Sequence, residues 1–146
     1  MASVSYWQTH YWRLIATGKV RLGVDPFKIA LLTSAYARNA AHAQWSDISG
    51  FEVAAGNGYT AGGQSLVLAV NGITDDAIIY IDPVWTALTK TFRWAAVVCD
   101  INVDALVKPL IGIVLLDSTP ADIVNNGSNY TLDVPSLGLF QRYQPA

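Results

Sequence analysis

Apolar residues in this chain come in short bursts separated by Gly, Pro, Asn and Asp, and only the first burst has a helical period. Trp7, Tyr11, Leu14 and Ile15 fall at i, i+4, i+7 and i+8, one stripe of a helix predicted over about residues 5–15. Ser5 is suited to the N-cap, and Gly18 stands just past the end, where a left-handed residue is wanted. Gln8, Thr9 and Arg13 take the opposite face. Tyr6 and Trp12 make the apolar stripe wider than one small core requires. Tyr6, Trp7, Tyr11 and Trp12 are therefore the candidate interface.

From there the pattern turns to β. Residues 19–22 suggest a short strand, and Asp25-Pro26 is a stop before the run 27–33. In that run Phe27, Ile29 and Leu31 share one face, yet Ala30 and Leu32 make the other apolar too, so a strand covered on both sides is expected. Further strands are expected over 66–70, 77–81, 92–99, 111–116 and 129–134, with Leu137, Leu139 and Phe140 as a last strand or packed tail. Phe92, Trp94, Ala96 and Val98 are placed on one face. Asn71-Gly72 marks a tight turn. About seven or eight short strands at this spacing, with no helices between them, predict a mainly β chain. The expected architecture is an antiparallel β-sandwich or jelly-roll-like single domain over residues 1–146, with a short N-terminal helix and the sandwich at about 19–140.

Composition sharpens this picture. The 146 residues can bury a real core, and 52% are hydrophobic while 14% are charged, against roughly 25% charged in ordinary soluble domains. With so few charges to cover its surface, the chain is expected to hide apolar surface against other chains. The competing reading is a β-protein whose exposed positions are Ser, Thr, Asn and Gly. A formal charge of -2 and scattered Lys and Arg argue against nucleic-acid binding, which needs clustered cations. The longest apolar run, residues 110–116, is strand length and far short of the roughly 20 residues of a spanning helix, so no membrane partner is expected. No basic region followed by an apolar stretch opens the chain, and no secretory leader is expected.

Candidate chemistry is sparse. A single cysteine, Cys99, excludes an internal disulfide and closes an apolar run, where it reads as a small buried hydrophobe. His10 and His42 have no second ligand-type residue at metal spacing. Asp75-Asp76 reads as a turn pair. Asp100, Asn102 and Asp104 alternate like the start of a calcium loop, but Ala105 and Ile111 stand where its glycine and closing glutamate belong. Residues 56–63, Gly-Asn-Gly-Tyr-Thr-Ala-Gly-Gly, are followed by Gln64-Ser65 and not by the Lys-Ser/Thr of a phosphate loop, so their role is conformational. No catalytic residue, metal or cofactor is expected, and the chain is not read as an enzyme. Trp45, Trp85 and Trp94 are expected in the core, whereas Trp7 and Trp12 suit interface anchors. Sugar stacking by the same aromatic side chains is a competing role.

Three stretches in order, FKIALLTS (27–34), WSDISGFEV (45–53) and GYTAGG (58–63), resemble a family of small tailed-bacteriophage virion proteins. That family carries KVALLTS, W.D.S..EV and GYTAGG in the same order. DPVWT (82–86), FRWAAVV (92–98) and KPLI (108–111) extend the resemblance, and the closing PSLGLF (135–140) departs from it. The resemblance implies a structural role in the virion, assembled in the host cytoplasm. A capsid decoration (cement) protein, bridging subunits of the major capsid protein and copies of itself as a homotrimer, comes first. A neck, collar or tail-fibre component is the alternative, and a carbohydrate-binding module is the second.

Overall fold

The computed structural model describes residues 4–7, 11–21, 24–66, 69–70, 77–79, 83–117, 119, 121–132 and 140–141. In chain order the elements are β1 (Val4–Trp7), α1 (Tyr11–Ala16) and β2 (Phe27–Leu32), then 3-10 turns at Trp45–Asp47 and Ser49–Phe51. Next come β3 (Gln64–Leu66), β4 (Ala69–Val70), β5 (Ala77–Ile79), β6 (Val84–Trp85), β7 (Thr89–Phe92) and β8 (Trp94–Cys99). The last are β9 (Asn102–Val103), β10 (Leu106–Val107), β11 (Leu110–Leu115), β12 (Ile123–Asn126), β13 (Tyr130–Thr131) and β14 (Phe140–Gln141). The chain is mainly β, built from antiparallel sheets with one short helix, in a sandwich-like arrangement.

The main sheet has the order β1-β11-β8-β2-β3, antiparallel throughout. Its central strands are apolar on both faces because both faces are covered. Phe27, Ile29 and Leu31 of β2, with Ala95, Val97 and Cys99 of β8, enter the larger buried cluster. Leu32, Ala96 and Val98 enter a smaller one on the other side. In β11 a bulge lets Leu110 face Val98 and Gly112 face Val97, leaving Ile111 as the extra residue. The parity slips there, so Ile111 and Val114 join the larger cluster while Leu110 and Ile113 join the smaller. This is why residues 110–116 read as an unbroken apolar run.

The smaller cluster is roofed by the segment 33–52. Tyr36 and Ile48 are buried there, with Trp45 and Phe51 half-buried beside them. The roof is stitched down by Thr33 N–H to Phe51 C=O (2.8 Å), Trp45 N–H to Lys108 C=O (3.0 Å) and Leu110 N–H to Ala43 C=O (2.9 Å). The larger cluster is closed by a second β layer. There β6 pairs with β13 and β7 with β12, and the pairs Trp85↔Tyr130 and Thr89↔Asn126 belong to a single register. The two short ladders are thus one antiparallel arm, 83–92 against 123–132, kinked where Ala87 takes a φ of 49°. Gly127 N–H to Leu88 C=O continues the pairing up to the kink, and Leu132 N–H to Pro83 C=O extends it at the far end. Trp85, Leu88, Phe92, Ile123 and Leu132 point inward into the larger cluster. Each large side chain so buried contributes about 1.5–3 kcal/mol.

Three sequence expectations need correction. The helix does not begin at Ser5: residues 4–7 are the edge strand β1, and α1 starts at Tyr11. A β-branched and aromatic stretch, Val-Ser-Tyr-Trp, favours a strand, and the edge of β11 offers it a full ladder of backbone hydrogen bonds. Trp7 therefore does not share a helical stripe with Tyr11, Leu14 and Ile15. Residues 19–21 are not a strand; Lys19 and Val20 close the helix instead. Gly18 has a φ of 71°, with Gly18 N–H on Ile15 C=O and Lys19 N–H on Leu14 C=O. Finally, Phe92 does not share a face with Trp94, Ala96 and Val98. The chain bends at Arg93 from the second layer into the main sheet, which puts Phe92 in the larger cluster and Ala96 and Val98 in the smaller.

Candidate interaction surfaces

The four aromatic residues singled out in the sequence fall on two elements. Tyr6 and Trp7 belong to β1, opposite Ile113 and Gly112, on the outermost strand of the main sheet. Tyr11 and Trp12 open α1. The structure thus places them within one N-terminal segment at the sheet edge, not on one helix face. An edge strand is in general a template for another chain, and here β14 lies beside β1.

The glycine-rich segment is a hydrogen-bonded knot. Gly56 and Tyr59 pair across a two-residue turn in which Asn57 and Gly58 have φ of 52° and 86°. Gly58 lies so close to the backbone of Thr86–Leu88 that a Cβ there would sit 2.7 Å from two carbonyl oxygens. Tyr59 is buried, its hydroxyl donating to Glu52 Oε1 (2.7 Å) and accepting the Leu31 N–H (3.1 Å). Gly62 N–H donates to the same Glu52 oxygen (2.6 Å), and Gly63 N–H to Thr60 C=O. Burial, and then the hydrogen bond to Glu52, push the Tyr59 phenol far above its usual range. The amides of Gly56, Gly62 and Gly63 are spent inside the knot, one of them on a carboxylate, so the segment does not cradle a phosphate. Sequence reading had missed the Glu52–Tyr59 link; a carboxylate seven residues before a tyrosine has no sequence signature.

Many of the described charged groups are paired with one another. Asp104, at the tip of the β9–β10 hairpin, accepts from Lys19 Nζ (2.8 Å) and Arg13 (3.2 Å), which hold its carboxyl below the usual carboxylate range. Asp100 lies between Lys28 (3.9 Å) and Lys108 (3.5 Å). Two acidic residues of the calcium-like alternation are thus spent on cations, and among the described residues no three His, Cys, Asp or Glu side chains gather to hold a metal. The His42 ring meets the Tyr36 hydroxyl at 3.4 Å within the roof. His10 and Asp75-Asp76 lie outside the described residues. Cys99 is buried in β8, and burial, with the charge of Asp25, pushes its thiol up to about 12. Such a thiol is inert.

Trp85 is buried in the larger cluster, and Trp45 and Trp94 pack against the smaller one, as expected. The surface feature that sequence reading missed is the outer side of the arm. There Val84 (43% exposed), Val124 (70%), Thr89, Thr91, Asn126 and Thr131 face outward without a charge among them. Thr-Lys-Thr-Phe and Ile-Val-Asn-Asn lack an apolar alternation, so 89–91 and 123–126 are not among the expected strands, although Thr and Val are strand formers. No described helix is long and apolar enough to cross a membrane. Compared with known proteins, the chain matches no family model, no curated protein and no solved structure.

Proposed function

We propose that this chain is a structural component of a tailed-bacteriophage particle, in the first place a capsid decoration protein that stabilises the head by bridging capsid subunits. The observation that carries this reading is where the resembling stretches sit. FKIALLTS is β2 and the start of the roof, WSDISGFEV is the closing part of the roof with Val53 beyond it, and GYTAGG supplies Tyr59, Gly62 and Gly63. They meet in the Leu31–Tyr59–Glu52–Gly62 knot, with Val53 N–H closing onto Leu31 C=O at 3.1 Å. The shared residues are architectural, and a protein that acts by rigid contact needs architecture and no reactive group. Its partners are the major capsid protein and its own copies, as a homotrimer matched to threefold positions on the shell. The N-terminal segment with Tyr6, Trp7, Tyr11 and Trp12 is the anchoring surface, many weak contacts adding up over the lattice.

The test is a phage lacking this chain, together with the copy number in purified particles. A decoration protein is present in hundreds of copies, about the number of lattice positions, and its loss leaves heads that break on heating. About ten copies would instead mark a neck, collar or fibre part. Absence from particles would overturn the virion reading. Trp7→Ala and Trp12→Ala are expected to weaken attachment more than they lower the isolated protein's thermal midpoint.

A further inference from the structure

The arm of the second layer has a charge distribution unlike an ordinary solvated sheet. Over residues 83–92 and 123–132 the sequence has one charged side chain, Lys90, which alternates with exposed Thr89 and Thr91 and is half-buried on the inward side. Asn125, opposite Lys90, also turns inward, its Nδ2 donating to Leu88 C=O (2.7 Å) and Ser128 C=O (2.8 Å). The outward side is left to Val, Thr, Asn, Ser and Ala. Well-solvated protein surface carries charged side chains at roughly a quarter to a third of its positions. This one carries none. The ion pair at the arm, Arg93 with Asp122 at 2.8 Å, stands at its end.

We infer that the outer face of the arm is covered by the same face of a second copy of this chain, in a twofold contact. Twofold pairing lays a surface on its own image, so any charge near the axis would meet a like charge. A neutral face of Val84, Thr89, Thr91, Val124, Asn126 and Thr131 meets that condition, and its β-branched residues suit sheet-on-sheet packing. The strip is about 33 Å long and about 10 Å wide from strand rise and spacing. That is well below the roughly 800 Å² per partner of a standard stable interface. The pair is therefore weak in dilute solution and becomes populated where copies are held close together, as on a lattice. The contact is separate from the N-terminal segment and from any threefold contact made there. It deepens the structural reading above and rests on it for its biological setting, but is tested on the isolated protein, so the two fail independently.

Sedimentation of the purified protein from about 1 µM to about 1 mM is the experiment, a range that brackets weak association. Wild type is expected to double its mass reversibly as concentration rises, from monomer to dimer, or from trimer to hexamer where the threefold contact is already made. The double variant Thr91→Lys/Val124→Lys, which puts four lysines into the paired face, is expected to raise the dimer dissociation constant at least about tenfold with circular dichroism and thermal midpoint unchanged. Thr89→Glu provides a second charge if the double variant folds poorly. A wild type whose mass has not doubled at the highest concentration overturns the proposal. So does an oligomer that both charge variants leave unchanged.

Discussion

Tyr59 and Glu52 are joined by a hydrogen bond of 2.7 Å, and through it the tyrosine fills a gap in the main sheet. β3 pairs with β2 only from Phe27 to Ile29, and the bridge Leu32↔Glu52 takes over at the other end. Between them the Leu31 N–H would be a buried donor with no strand beside it. The Tyr59 hydroxyl, 3% exposed as a residue, is its acceptor.

Tyr59→Phe removes that acceptor and keeps the ring. Leaving a buried N–H unpaired costs about 1–3 kcal/mol, so denaturant unfolding of the variant should show a loss of that size. A wild-type midpoint would mean that water takes over the bond.

Alkaline pH is expected to unfold the protein through its buried phenols and thiol. Tyr59 and Tyr36 titrate above the ordinary tyrosine range because burial disfavours the phenolate, and burial moves Tyr130 to about 12. Cys99 is moved to about 12 from a reference value of 9.0. Each group has a folded value above its unfolded one. The stability it confers is complete below the unfolded value and drains away as pH rises through the folded one. The thermal midpoint should therefore be flat through neutrality and fall from about pH 9 upward. Tyrosinate absorbance should appear together with unfolding for the buried tyrosines, and a smooth titration of all tyrosines near 10 would contradict this.

Adjacent glycines should respond differently to the same change. Gly62 and Gly63 have φ of 84° and 82°, so alanine is strained at both. At Gly62 a Cβ meets nothing within 4 Å, whereas at Gly63 it would press on the Ile29 carbonyl and lie 2.9 Å from Ala30 Cα. Gly62→Ala should cost about 1–2 kcal/mol. Gly63→Ala should cost about 3 kcal/mol or more, because the central strand has to move. Equal losses in paired unfolding curves would show that the close approach to β2 does not matter.

Ala105 sits with a φ of 63° in the two-residue turn of the β9–β10 hairpin, after Asp104 at 48°. Such turns favour glycine at that place. Ala105→Gly is expected to stabilise the protein by about 1 kcal/mol, read as a higher thermal midpoint. An unchanged or lower midpoint would count against this turn geometry.

Asp104 also ties that hairpin to α1 and its closing turn through Arg13 and Lys19. Its carboxyl is held low by those cations, so its contribution is present above the unfolded value and is lost as pH falls through the folded one. The pairs are exposed and hence weak and screened by salt. Asp104→Asn, which keeps the turn, should remove a salt-sensitive part of wild-type stability while leaving the spectrum of the fold intact. The same salt sensitivity in both proteins would show that the latch contributes nothing.

Period and composition, which each stretch carries in itself, were legible without coordinates. The two-sided apolar character of residues 27–33, the short strands, Gly18 past the helix and the burial of Trp85 and Cys99 all followed from local pattern. The sequence by itself therefore determined a charge-poor, mainly β chain whose central strand is covered on both sides. Three-dimensional packing decided what pairs with what. Val4–Trp7 became a strand because β11 had an open edge, the Ile111 bulge set which side of the sheet each apolar residue entered, and the bend at Arg93 divided Phe92 from Trp94. The Tyr59–Glu52 link and the neutral face of the arm likewise depend on partners distant in the chain. Hydrogen bonds and shared faces are relations between segments, and no single segment's periodicity encodes them.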